Sequence, residues 1–279
     1  MDRNSLEKAL SSTRSILVDA ITTASYKGKK KSNGQEAKNA AIRSSEPINQ
    51  IHQLIRDSIR EELILRGVNS KIWPPHGSKP ELKVTGLLKS KKQDVSVTII
   101  DHKSETITTG ANIGETDRVG LEATNSALVI GIRSQLSSVD KNFDTLAERA
   151  FAETLNLRLR APKITIGEVY VLPVQEFDDE SLKKNIVGFK KKNINASKFV
   201  SFFESISRKL VEDKTSSIYK YDGTALIIAD FKSEKVKVLW DEKDFIKVFG
   251  KEIPKEVVGL LPSTFIKRII DAYLENIKG

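Results

Sequence analysis

Two short strand-like runs carry the polar residues best placed to do chemistry. In Asp94-Val-Ser-Val-Thr-Ile-Ile100, Val95, Val97 and Ile99 point one way, and Asp94, Ser96 and Thr98 point the other, because strand side chains alternate. In the run from Ala127 to Gln135, Leu128, Ile130 and Ile132 share one face, while Gly131, Arg133 and Gln135 share the other. If the two strands are neighbours in one sheet, Asp94 meets Arg133 and Gln135 across a small polar pocket. A slip of one residue in register would dissolve that pocket. The chain has no cysteine, which removes disulfides, thiolate metal sites and cysteine nucleophiles together. Its three histidines, His52, His76 and His102, are scattered without metal-ligand spacing, so a zinc enzyme is not expected.

The unit that must position these residues runs from Ala127 to Val174. Its first segment is short, β-branched and bounded by polar residues, which favours a buried strand. After the polar loop Leu136–Asn142, the residues Phe143, Leu146, Ala150, Phe151 and Leu155 recur at helical spacing, predicting a helix to about Arg160 that Ala161-Pro162 stops. Ile164 to Pro173 then reads as a second strand. Strand, helix, strand is a βαβ crossover, normally right-handed.

Upstream, apolar stripes predict helices over residues 1 to about 26 and from Glu46-Pro47 to Leu65-Arg66, with Gly67 as the stop. The basic run Lys27–Gly34 between them is a surface loop or a phosphate-contacting arm. Strands are predicted over Glu81–Lys89 and Asp94–Ile100, joined by the basic turn Ser90–Gln93. Downstream, a helix is predicted from Ala196 to Glu212, a hairpin from Ala225–Phe231 and Lys235–Trp240, and a helix from Pro262 to Ile277. The expected fold is mixed α/β: a central mixed β-sheet flanked by helices, in a single domain over 1–279. Within it, 1–66 form an N-terminal helical layer, 80–174 the core, and 175–279 complete the fold.

With 46 Lys plus Arg against 37 Asp plus Glu, the net charge is +9, which suits a polyanionic partner. Apolar runs are strand-length, short of the roughly 20 residues a membrane span needs, so no membrane partner is expected. The start Met1-Asp-Arg-Asn-Ser5 has no apolar segment of a secretory signal, and the cytoplasm is the expected location.

The order of elements from Pro80 to Val174 resembles the PD-(D/E)XK nuclease core of type II restriction endonucleases. That family sets an acid on one strand and an acid-x-Lys on the next, then passes through a helix to a further strand. The matching pieces here are Asp94 in Lys92-Gln-Asp-Val-Ser96, Gly131-Ile-Arg-Ser-Gln135, the helix after Phe143, and Gly167–Pro173. The resemblance implies Mg²⁺-dependent hydrolysis of double-stranded DNA, sequence-specific, by a homodimer on a two-fold site.

Two positions depart from the pattern: glycine stands at 131 for the second acid, and arginine at 133 for the lysine. Arginine stays protonated, so Arg133 is expected to stabilise phosphate charge, with Gln135 as the amide replacement for lysine. The missing carboxylate is expected from the helix, where Glu148 and Glu153 lie about 140° apart. Glu153 has Arg149 four residues before it as a surface partner, so Glu148 is the expected ligand beside Asp94, with Glu81 as a third. Lys89, Lys91, Lys92, Ser137, Ser138 and Lys141 are the expected DNA contacts. The competing reading is a nucleic-acid-binding protein on the same fold that has lost catalysis.

Overall fold

A computed structural model describes residues 1–77, 79–208, 217–250 and 255–278. The first layer comprises α1 (Arg3–Thr23), a small hairpin of β1 (Ser25–Tyr26) and β2 (Lys29–Lys30), α2 (Gly34–Arg43) and α3 (Asn49–Leu65). Asp2 starts α1 by accepting the Ser5 N–H, and Asn33 caps α2 through Glu36 N–H. Pro47 lies in a 3-10 turn, Glu46–Ile48, that leads into α3, and Gly67 ends it at φ +69°. The basic run from Lys27 thus forms a hairpin whose Lys29 and Lys30 are exposed.

β3 (Lys71–Trp73), β4 (Leu82–Thr85), β5 (Ser90–Gln93), β6 (Val95–Thr98), β7 (Glu105–Thr106), β8 (Thr116–Asp117) and α4 (Leu121–Asn125) follow. Then come β9 (Leu128–Ser134), α5 (Phe143–Arg158) and β10 (Thr165–Pro173). The chain ends with α6 (Asp179–Lys183), α7 (Ala196–Ser205), β11 (Gly223–Asp230), β12 (Lys237–Val238), α8 (Glu242–Phe249) and α9 (Pro262–Lys278). The expected helix from Ala196 ends at Ser205 and not at Glu212: Ile206 caps it and Ser207 bridges to Tyr221, while Leu210 and Glu212 lie outside the described residues.

Among the described residues the central sheet has six strands in the order β12-β11-β10-β9-β6-β3. β9, β10 and β11 are parallel, while β6 runs antiparallel to β9, so the sheet is mixed. The β9–α5–β10 unit is the expected crossover between adjacent parallel strands. Alternation divides the core between the two faces. Val95, Val97, Ile130 and Val171 pack with Leu10 and Leu17 of α1, Ile55 and Ile59 of α3, and Phe265 and Ile269 of α9. Val129, Ile166, Tyr170 and Leu172 pack on the other side with Leu146 and Ala150 of α5 and Phe199 and Phe203 of α7. Each such buried aliphatic side chain contributes about 1.5–3 kcal/mol. The N-terminal helices therefore cover one face of the sheet.

The run Ser90–Gln93 is a strand, not the expected turn: it pairs with β4, Thr85 opposite Ser90 and Leu82 opposite Gln93. The reversal occurs earlier, closed by Gly86 N–H to the Lys89 carbonyl. A Cβ at Gly86 would lie 2.2 Å from Asn156 Nδ2, and the Leu88 and Lys89 N–H groups donate to Asn156 Oδ1 at 2.8 and 3.1 Å. Asn156 thus fastens the hairpin to α5, and the lysines expected in a solvent-facing turn lie on a strand beside that helix.

Candidate active site

Three strands bring one row of residues together. Val95 of β6 pairs with Ile130 of β9, so Asp94, one residue earlier, falls opposite Gly131; Glu168 of β10 pairs with the same Gly131. Paired positions on neighbouring strands point to the same face. Asp94 is anchored there by the Ile132 N–H, which donates to Oδ2 at 2.7 Å. Glu168 occupies the space a side chain at 131 would fill, because a Cβ there would lie 2.4 Å from Glu168 Oε2. The side-chain space that Gly131 leaves open on β9 is filled across the ladder by Glu168 of β10.

Two residues along β9 on the same face, Arg133 pairs through Nε with Glu168 Oε1 at 3.0 Å and through its terminal nitrogen with Glu153 of α5. Glu153 also binds Lys91 of β5. Glu168 is 1% exposed, and neither of its oxygens has an aligned hydrogen-bond donor among the described residues, so the Arg133 contact is an ion pair without hydrogen-bond geometry. Burial raises the Glu168 carboxyl above its ordinary value; Arg133 and Lys91 oppose this, and nearby Asp94 adds to it. Burial works against the Arg133 guanidinium too, but the Glu168 carboxylate overrides it and raises the arginine further. Lys91 is pulled down to about 8 by burial and by the Arg133 guanidinium, against Glu168 and Asp94. Its contact with Glu153 also favours the charged form. Close to Asp94 and Glu81, His52 of α3 is lowered by burial, and its Nε2 has no hydrogen-bond partner among the described residues.

A cavity of about 440 Å³ opens over this cluster, with Lys89, Lys91, Asp94, Arg133, Arg149 and Glu153 on its walls. Of the expected site residues it unites Asp94, Arg133, Lys89 and Lys91. Glu148 is exposed, forms no ion pair or hydrogen bond among the described residues and does not line the cavity. The buried stripe of α5 is Leu146, Ala150, Thr154 and Leu157. Glu153 lies about 60° around the helix from Ala150, whereas Glu148 lies about 160° away. The helix acid at the cavity is Glu153, held by Lys91 and Arg133 and not by Arg149. Glu81 lies near His52 and does not line the cavity. Gln135 lines a neighbouring cavity, where Nε2 donates to the Ser137 carbonyl. Lys92, Ser138 and Lys141 are exposed and Ser137 half-buried, and none of them lines either cavity.

Glu168 and Arg149 were not singled out from the sequence. Glu168 did leave a signal, as the sole charged residue in the run Thr165–Pro173. Arg149 left none beyond its place on a helix.

Three substitutions check this geometry. Gly131→Ala should displace the Glu168 carboxylate, costing about 1–3 kcal/mol for overpacking; a thermal melt indistinguishable from wild type would mean the two residues do not compete for space. Glu148→Gln should shift stability by no more than about 0.5 kcal/mol. Glu153→Gln should cost about 1.5–3 kcal/mol, the range for hydrogen bonds to charged groups. Denaturant titration of the pair reads the difference, and equal effects would contradict the helix orientation.

Among the described residues no group of three acidic or histidine side chains is arranged to hold a metal ion. Magnesium does not require one, since it commonly keeps several waters and takes one or two carboxylates. The buried, unsatisfied Glu168 carboxylate beside Asp94 fits that donor set. No helix among the described residues is long and apolar enough to cross a membrane. Set against protein-family models, curated proteins and solved structures, the chain matches none of them.

Proposed function

We propose that the protein is a magnesium-dependent phosphodiesterase that cleaves double-stranded DNA at specific sequences, working in the cytoplasm as a homodimer. The observation that carries this reading is the Glu168 carboxylate, 1% exposed and without a hydrogen-bond donor among the described residues, set across Gly131 from Asp94 beside two cations. Leaving a charge in that state is costly unless a ligand uses it. Asp94 and Glu168 would hold the metal. When bound, magnesium supplies charge stabilisation at the phosphoryl oxygens and acidifies a water for in-line attack.

The chain's own residues do the rest. The Lys91 amine, with its pKa near 8, accepts a proton at Nζ from the attacking water. The Arg133 guanidinium orients Glu168 and offsets the charge developing on the phosphoryl group. Glu153 holds Lys91 against the cavity. The net charge of +9 favours approach of a polyanion.

Incubation with phage DNA, with and without Mg²⁺, followed by gel electrophoresis tests the reading. Discrete fragments that require Mg²⁺ are expected. A salt-dependent mobility shift with intact DNA would overturn it in favour of a binding protein without catalysis.

A further inference from the structure

We propose that the second cavity, between the end of β9 and the first turns of α5, is a subsite for a nucleoside held out of the base stack, next to the scissile phosphate. The assignment of the neighbouring phosphate rests on the phosphodiesterase reading. This cavity measures about 360 Å³, within the range of roughly 300–1,000 Å³ typical of small-molecule pockets. It meets the cavity lined by Asp94 and Lys91 at Arg133 and Arg149, which line both. Arg149 has no carboxylate partner among the described residues, so its charge is left facing the junction. A phosphate at that junction would send its sugar and base into one cavity while its reacting oxygens face the other.

The lining favours a base over a second phosphate. Beyond the shared arginines, its polar groups include Gln135, Asn142 and Thr145. Amides and hydroxyls present both donors and acceptors, as the edge of a base requires, whereas a phosphate needs donors alone. Gln135 spends its Nε2 on the Ser137 carbonyl, leaving the amide oxygen as an acceptor. Asn142 stands at the N-cap of α5 but makes no capping hydrogen bond, so its amide remains available. Tyr170 and Leu146, 4% and 5% exposed, supply an apolar floor. Taking a base from a duplex costs a few kcal/mol of pairing and stacking, and least where the strand is already unpaired. A duplex whose pairing is weak at the cut is therefore the favoured substrate.

Calorimetric titration without divalent metal, using deoxynucleoside 5′-monophosphates, deoxyribose 5-phosphate and inorganic phosphate, tests this. At least one mononucleotide should bind about tenfold more tightly than the sugar phosphate, equivalent to about 1.4 kcal/mol. Asn142→Ala and Thr145→Val change exposed side chains and should fold normally; together they should erase that tenfold increment and leave phosphate affinity in place. Arg149→Ala should weaken all three ligands. Equal binding of nucleotide and sugar phosphate, no nucleotide binding at millimolar concentration, or an increment untouched by the double variant would overturn the subsite. Because no turnover is read, the two claims fail separately. Nucleotide preference without DNA cleavage defeats the phosphodiesterase reading alone, and cleavage without nucleotide preference defeats the subsite alone.

Discussion

Glu168→Gln should abolish DNA cleavage while melting no lower than the wild-type protein. Losing a metal-holding carboxylate removes several kcal/mol of transition-state stabilisation, so a rate loss of about a thousandfold or more is expected. The stability change runs the other way. Burial raises the Glu168 carboxyl, which means the folded state prefers its neutral form. The penalty for burying the charge is absent below the ordinary carboxyl value and grows as pH rises through the raised one. Glutamine keeps the shape and removes that penalty, and Arg133 retains Glu153 as a partner. In EDTA, the melting temperatures of variant and wild type should therefore coincide at acid pH and diverge in favour of the variant towards neutrality. An inactive variant that also melts far below wild type at neutral pH would make Glu168 a structural ion-pair partner. Such an opposition between activity and stability is expected where a site keeps a strained charge.

Lys91 carries the second large effect. A general base contributes about 10²–10⁴-fold, so Lys91→Met should lose that much in single-turnover cleavage. Its pKa near 8 also sets the shape of the pH profile. The amine is protonated below that value and free to accept a proton above it, so the wild-type rate should climb through about pH 8 and then level. Lys91→Arg separates this role from a purely electrostatic one, because a guanidinium keeps the charge and does not deprotonate. That variant should be slow, without the limb near pH 8. An arginine variant that cleaves at the wild-type rate would reassign Lys91 to charge stabilisation of the phosphate.

Alternation along β6 and β9 was enough to place Asp94 on the Arg133 face, and the β6–β9 register agrees with it. The βαβ crossover was legible for the same local reason, since short β-branched runs and a helical repeat are properties of neighbouring residues. Glu168 was hidden because its meaning depends on which strand lies beside Gly131. A parallel strand buried on both faces reads as a continuous apolar run, in which alternation no longer marks a functional face. The two α5 acids were ranked by a local pairing rule, Arg149 four residues before Glu153, whereas the partners of Glu153 are Lys91 and Arg133 from distant strands. Phe151 of the expected apolar stripe is 47% exposed and packs on Tyr219, while Thr154 is buried. Lys91 was read as a loop contact because the turn was placed at Ser90–Gln93, whereas it closes at Gly86–Lys89, where Asn156 of the distant α5 fastens it.

Cleavage as proposed depends on Asp94 and Glu168 jointly holding a divalent ion. Titration with Mn²⁺ in place of Mg²⁺, followed by electron paramagnetic resonance, measures this without requiring turnover. Wild-type protein should remove free Mn²⁺ from solution at a saturable site. Asp94→Asn and Glu168→Gln should each weaken that site tenfold or more, and Glu148→Gln should leave it unchanged. Wild-type protein that takes up no Mn²⁺, or a Glu168→Gln variant that binds it as tightly as wild type, would contradict the account.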